Sequence, residues 1–361
     1  MLSYNQKMSS TALHDTLTAN SAHLGEFSGV ATASDFGDVR AEFDALINGC
    51  GVYDLGWRAK IELTGEDRVR WLNGMTTNNV RDLAGGRGVY GFVLNPQGRI
   101  QGDLYAYNRG HSLLLDTDRQ QLEDLLKIFD HYIIMDDVAV ADASDSVTAI
   151  GIAGPNSSKL LREAGFAPDL QPLQFAESTW RETNVTVVRG DNPAVENFEL
   201  WLPPTSATSL WEELVGKGAR PAGTAALELL RIASGVPRYG IDIRDRDLPQ
   251  ETEQDRALNF SKGCYIGQEI VERIRSRGNV HRKFTGFDVR GPLPAGGTKI
   301  QIDGKDIGEI TSVASLPLAR ADQSVALGYI RRELATPGKE FRAGESTLAV
   351  ATVPFKDVFQ H

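Results

Sequence analysis

Lys262-Gly263-Cys264-Tyr265-Ile266-Gly267-Gln268-Glu269 carries more chemistry than any other segment of this chain. It sets one of only two cysteines among 361 residues beside a lysine and between two glycines. Glycine permits close backbone approach to a ligand or a positive φ, and a neighbouring ammonium favours the thiolate, the form that acts as nucleophile or metal ligand. The competing reading is a small apolar residue in a tight turn, since free cysteine is among the most buried residue types. Between residues 269 and 283, Arg273, Arg275, Arg277, Arg282 and Lys283 with His281 stand against only Glu269 and Glu272. On a chain of net charge −10 this inversion reads either as a solvated strand or as a cradle for carboxylates or phosphates, which the forked donors of arginine suit.

Other candidates are carboxylates. Arg99 to Tyr107 alternates as a strand after the turn Asn95-Pro96-Gln97-Gly98, so Gln101, Asp103 and Tyr105 share one face and Ile100, Gly102 and Leu104 the other. Taken alone, that face is simply polar surface. Glu199 in Phe198-Glu199-Leu200-Trp201 alternates away from its apolar neighbours, and Arg231 in a helix rich in Ala and Leu reads as a covering stem. Gly86-Arg87-Gly88-Val89-Tyr90-Gly91 matches a dinucleotide fingerprint in letters only, because a hairpin follows it where a helix N-terminus is required. No GxSxG, HExxH or Walker A string occurs. Cys50 and Cys264 are too few and too far apart for an iron-sulfur cluster, a zinc site or a disulfide scaffold of the chain's own.

The elements that must position these residues follow from periodicity. Leu122, Leu125, Leu126 and Phe129 make a helical stripe, as do Leu210, Trp211, Leu214 and Val215, while Pro155 to Gly165 and Ala225 to Gly235 read as helices ended by glycine. Thr64-Gly65-Glu66-Asp67 reads as a capping box opening a helix through Leu72. Strands are expected at 60–63, 147–152, 185–188 and 198–202, which makes an α+β region. From Phe284 on, five short strands at 284–289, 298–302, 307–313, 325–330 and 346–351 have the spacing of a small β-barrel. The expected divisions are a mobile extension over 1–25, rich in Ser, Thr and Asn; an α+β region over 26–278 with an internal boundary near 145; and a barrel over 279–361. The acidic balance argues against a nucleic-acid partner, the absence of a run of ~18 apolar residues against a membrane span, and the cysteine usage for the cytoplasm.

Together these strings resemble a known family. Lys262 to Glu269, preceded by Asp247-Leu248-Pro249-Gln250-Glu251 and followed by Arg277-Gly278, is similar to the YgfZ/GcvT-like family of folate-binding proteins. So are Leu230-Arg231 to Gly235-Val236-Pro237, Phe198-Glu199-Leu200, Leu72-Asn73-Gly74-Met75-Thr76-Thr77-Asn78 and the hairpin Asn95 to Asp103. The resemblance implies two intertwined α+β units around a central folate channel, capped by a C-terminal β-barrel. It implies tetrahydrofolate, or a one-carbon derivative, as the cofactor. The family holds both the glycine cleavage T-protein, an aminomethyltransferase, and the YgfZ branch, which supports iron-sulfur cluster assembly or repair in client proteins. The K-G-C-Y-x-G-Q-E string and Leu227, standing where T-proteins have an arginine, point to YgfZ; Asp103 points to one-carbon chemistry. The expectation is a monomeric cytoplasmic tetrahydrofolate-binding protein serving iron-sulfur clients, with a T-protein-type aminomethyltransferase or methyltransferase as the alternative. On that resemblance Cys264 and Asp103 are the reactive groups, and Glu199, Asp103, Tyr105, Lys262 and Arg273 hold the cofactor.

Overall fold

Four β-structures organise the chain in the computed structural model, which describes residues 9–278 and 280–359. A five-stranded sheet runs Gly88–Leu94, Ile100–Asn108, Leu113–Asp118, Arg58–Thr64, Ala139–Asp142 in spatial order. A six-stranded sheet runs Phe175–Trp180, Thr183–Arg189, Asn197–Leu202, Thr148–Ala153, Gly51–Asp54, Arg220–Pro221. Strand Gly51–Asp54 pairs with Thr148–Ala153, and Arg58–Thr64, only three residues further on, pairs with Leu113–Asp118 in the other sheet. The two units therefore interlock, as the α+β expectation with intertwined units requires. Arg282–Arg290 opens a closed six-stranded barrel. Five of its strands match the sequence spacing; the sixth, Glu340–Ala343, is too short and too polar to announce itself.

Helices fall where the apolar stripes place them. Leu122–Tyr132 buries Leu125 and Phe129, Ala207–Gly216 buries Leu210, Trp211 and Leu214, and Thr224–Ala233 packs on both Val39–Asn48 and the barrel strand Lys305–Leu316. The capping box at Thr64 does not form. Thr64 pairs with Ala139 as the last residue of its strand, the helix spans Arg68–Met75, and Asp67 instead accepts a hydrogen bond from the Asp137 backbone N–H.

The expected mobile extension is corrected over residues 9–25; its first part, residues 1–8, lies outside the described residues, as does residue 279. Helix His14–Ala19 inserts Leu17, with Leu13 before it, into the cluster of Val52, Ile150 and Leu160, and both leucines are fully buried. Each buried leucine contributes roughly 1.5–3 kcal/mol toward holding this segment against the core. The hairpin His23–Phe27 and Val30–Asp35 then carries Phe27 toward the centre of the molecule.

Candidate functional site

The hairpin of Gly88–Leu94 and Ile100–Asn108 builds one wall of a cavity of about 150 Å³. Gly98 makes its turn with a φ of +71°. Strand alternation turns Asp103 and Tyr105 to the same side, while Gly102 and Leu104 face helix Leu122–Tyr132; a Cβ on Gly102 would come within 2.9 Å of Leu125. Asp103, Tyr105, Tyr90, Arg58, Phe27 and Arg256 are among the residues that line the hollow. Asp103 is held on both oxygens: the Tyr90 hydroxyl donates to Oδ2 at 2.6 Å and the Gln121 amide to Oδ1 at 2.7 Å. Burial raises its pKa, against the lowering effect of those two bonds and of Arg58. A carboxyl so placed is suited to carry a proton.

Arg256 forms a second wall that periodicity does not reveal. Its guanidinium carbon lies 4.4 Å from the centre of the Tyr90 ring, and it contacts Asp191. The Thr76-Thr77-Asn78 segment sets this stack: the Asn78 amide donates at 2.8 Å to the carbonyls of both Tyr90 and Arg256, and the Thr77 hydroxyl donates to the Ala257 carbonyl at 2.6 Å. Arg231 closes the floor against the barrel, donating to Asp242 at 2.7 Å and to Ser312 at 3.0 Å.

Glu199 stands next door rather than on the wall. Its Oε2 accepts from the Trp201 indole at 2.7 Å. Burial raises its pKa, and the Asp116 charge adds to that, with Lys60 and Arg58 opposing. Asp116 takes Arg58 and the fully buried Lys60 together; burial would raise its carboxyl, but the two cations outweigh this and hold it below the usual range. Arg58 joins the two regions, being a cavity wall whose charge also acts on Glu199 and Asp103.

The expected set is thus only partly gathered. Asp103 and Tyr105 share the cavity, and Cys264, Lys262 and Arg273 lie outside its lining. Lys262 does not flank the thiol as an activating charge: its Nζ donates to the carbonyls of Asn73, Thr76 and Asn78 at 2.5, 2.6 and 2.7 Å, capping the end of helix Arg68–Met75. Cys264 is exposed while Tyr265 turns inward against Phe92 and Val271. Arg273 is exposed on helix Gln268–Arg277. The anion cradle is filled from within at its strand end, because Arg282 donates to Asp247 and Glu251 and Lys283 to Glu253. Tyr90, Gln121, Arg58 and Arg256 complete the site without any local signal. Only the Tyr90–Tyr105 cross-strand pairing was available to point to one of them.

With this geometry in hand, comparison with known proteins gives a consistent answer. Residues 13–262 match the GCVT N-terminal domain, and residues 282–357 match the glycine cleavage T-protein C-terminal barrel domain. A chloroplastic Arabidopsis thaliana protein named as a transferase is 27% identical over 346 residues, covering 95% of this chain and 79% of that one. The aminomethyltransferase of Rubrobacter xylanophilus is 28% identical over 328 residues, with 90% and 87% covered. The crystal structure of the glycine cleavage system aminomethyltransferase T from Bartonella henselae superposes with a TM-score of 0.88 at 21% identity, over 97% of this chain and 98% of that one, which speaks to the fold. No helix among the described residues is long and apolar enough to cross a membrane. The interlocked sheets, the closed barrel and both domain matches make this chain a member of the glycine cleavage T-protein (GcvT-like) family.

Proposed function

We propose that the chain is a tetrahydrofolate-dependent one-carbon transferase of the aminomethyltransferase type, working in the Asp103 cavity. One observation carries the reading: a partly buried carboxyl, fixed by Tyr90 and Gln121, faces a hollow walled by aromatic rings. The residues suit a flat polar heterocycle, with Tyr90, Tyr105, Phe27 and Trp57 for its faces and Asp103 for its N–H groups. At about 150 Å³ the hollow is below the ~300 Å³ of ordinary ligand pockets, so it suits the bicyclic head, with the tail directed outward.

Bound tetrahydrofolate would supply the nitrogen that accepts the carbon. Three carboxyls line the wall, and Asp118 and Glu228 are paired with Arg238 and Arg231, so the proton that leaves this nitrogen and the proton that the departing amine gains are assigned to the Asp103 carboxyl. Tyr90 and Gln121 fix its direction. Glu199 influences the site through Arg58. Calorimetry with tetrahydrofolate and an assay of carbon transfer test this: the parent binds and transfers, and Asp103→Asn binds but loses transfer. A parent that binds no tetrahydrofolate sinks the reading.

A second reading, support of iron-sulfur clusters in client proteins, is favoured by the exposed Cys264. Its loop is firmly seated, with Ile266 donating to the Gly74 carbonyl at 3.0 Å. Cells carrying Cys264→Ala would then lose iron-sulfur enzyme activity while carbon transfer in vitro persists. Full complementation by that variant removes this reading.

A further inference from the structure

We propose that Arg256 is the carboxylate receptor of the cavity and that Asp191 is the internal carboxylate a ligand displaces. A guanidinium offers five N–H donors, and two of its edges can take a carboxylate bidentately. Here Nε donates to Gln254 at 3.2 Å, and Nη1 serves both Asp191 and the Tyr105 hydroxyl, the latter at 3.4 Å. Nη2 has no hydrogen-bond partner among the described residues, so one nitrogen of the fork stays open on an exposed residue that also lines the hollow, and a bidentate grip on the Nη1–Nη2 edge requires Asp191 to leave. Asp191 binds one nitrogen only and does not itself line the cavity. The plane is fixed from behind by the Tyr90 ring and by Asn78, which ties the backbones of both residues. A receptor so braced loses little freedom when it binds.

Position indicates what the carboxylate belongs to. Tyr90 carries Arg256 on its face and Asp103 on its hydroxyl, so the receptor and the proton carrier are one tyrosine ring apart. A small amino acid bearing the carbon to be transferred spans that distance, with its carboxylate on Arg256 and its amine at Asp103. The glutamate of the folate tail is the other source of a carboxylate. The inference deepens the one-carbon reading of the cavity and rests on it.

Calorimetry on the full chain separates these cases, using N-methylglycine, tetrahydrofolate and 6-methyltetrahydropterin, which has the ring but no carboxylate. Arg256→Met is expected to weaken N-methylglycine about tenfold or more, as the loss of a charge-assisted bond predicts, and to leave the pterin unchanged. Asp191→Asn, which removes the competitor, is expected to tighten it. Weakening of tetrahydrofolate alone assigns Arg256 to the tail. A purely structural ion pair would move both variants in the same direction, and that result, no change in either, or a parent that binds no carboxylate overturns the proposal. Pterin binding without any Arg256 effect leaves the function standing and removes the receptor; carboxylate binding without pterin binding does the reverse.

Discussion

The Tyr90 hydroxyl donates to Asp103 at 2.6 Å, and this bond favours the ionised carboxylate in a place where burial opposes it. Removing it therefore raises the Asp103 pKa further. If transfer needs the ionised form, activity falls on the acid side at a pH above the ordinary carboxylate range, and in Tyr90→Phe that limb moves to still higher pH. Asp103→Asn lowers kcat by roughly 10²–10⁴-fold, the usual worth of a positioned acid/base. A pH profile of kcat checks both, and an unmoved acid limb in Tyr90→Phe would show that another group sets it.

Lys262 and Cys264 are two residues apart and belong to different problems. Lys262 satisfies three backbone carbonyls from a buried position, so Lys262→Met strands them and costs about 3 kcal/mol. Cys264→Ser changes an exposed side chain and shifts stability by less than about 0.5 kcal/mol. Denaturant unfolding measures both, and equal costs would contradict this division.

The contrast shows what the sequence could and could not convey. Alternation and helical stripes are local, so the hairpin, the helices and most barrel strands are legible, and so is the shared face of Asp103 and Tyr105. The string Lys262 to Glu269 marks its own importance but not the direction of each side chain. The inward turn of Lys262 depends on where helix Arg68–Met75 ends, nearly two hundred positions earlier. Arg58, Gln121, Asp191 and Arg256 meet around Asp103 and Tyr105 from separate elements, and no window of sequence contains their meeting. The capping box failed because Asp137 offers Asp67 a better partner from a distant loop.

Glu309 clasps the barrel to the α+β region. Its carboxylate takes Arg244 at 2.6 Å, Arg246 at 3.4 Å and Lys299 at 2.5 Å. Burial alone would raise its pKa, but the bonds from Lys299 and Arg244 and their charges bring it down to about 2. A folded-state pKa below the unfolded value of 4.5 means that this contribution is complete above pH 4.5 and is lost as the pH falls toward 2. Thermal unfolding should show Glu309→Gln less stable than the parent at pH 7 by about 1 kcal/mol, with the gap closing in acid. A gap that persists at pH 2 would assign the effect to packing.

The residue that most tests the role of the N-terminal hairpin is Phe27. Its ring meets Trp57 edge-on at 4.7 Å, Arg238 lies 4.1 Å over its face, and both residues share the cavity wall with it. The next residue, Ser28, donates to Asp118 at 2.6 Å and accepts from Arg238 at 2.7 Å, so the hairpin tip is fastened into the same wall by a polar bridge. Phe27→Ala removes a partly buried ring, which costs about 2 kcal/mol or less in stability. It also removes one of the flat faces that would sandwich a heterocycle and opens the hollow to water. Binding of 6-methyltetrahydropterin should weaken about tenfold, the worth of one aromatic face, whereas Ser28→Ala should mainly lower the melting temperature. If Phe27→Ala binds the pterin as tightly as the parent, the hairpin only supports the fold and the ring faces some other wall.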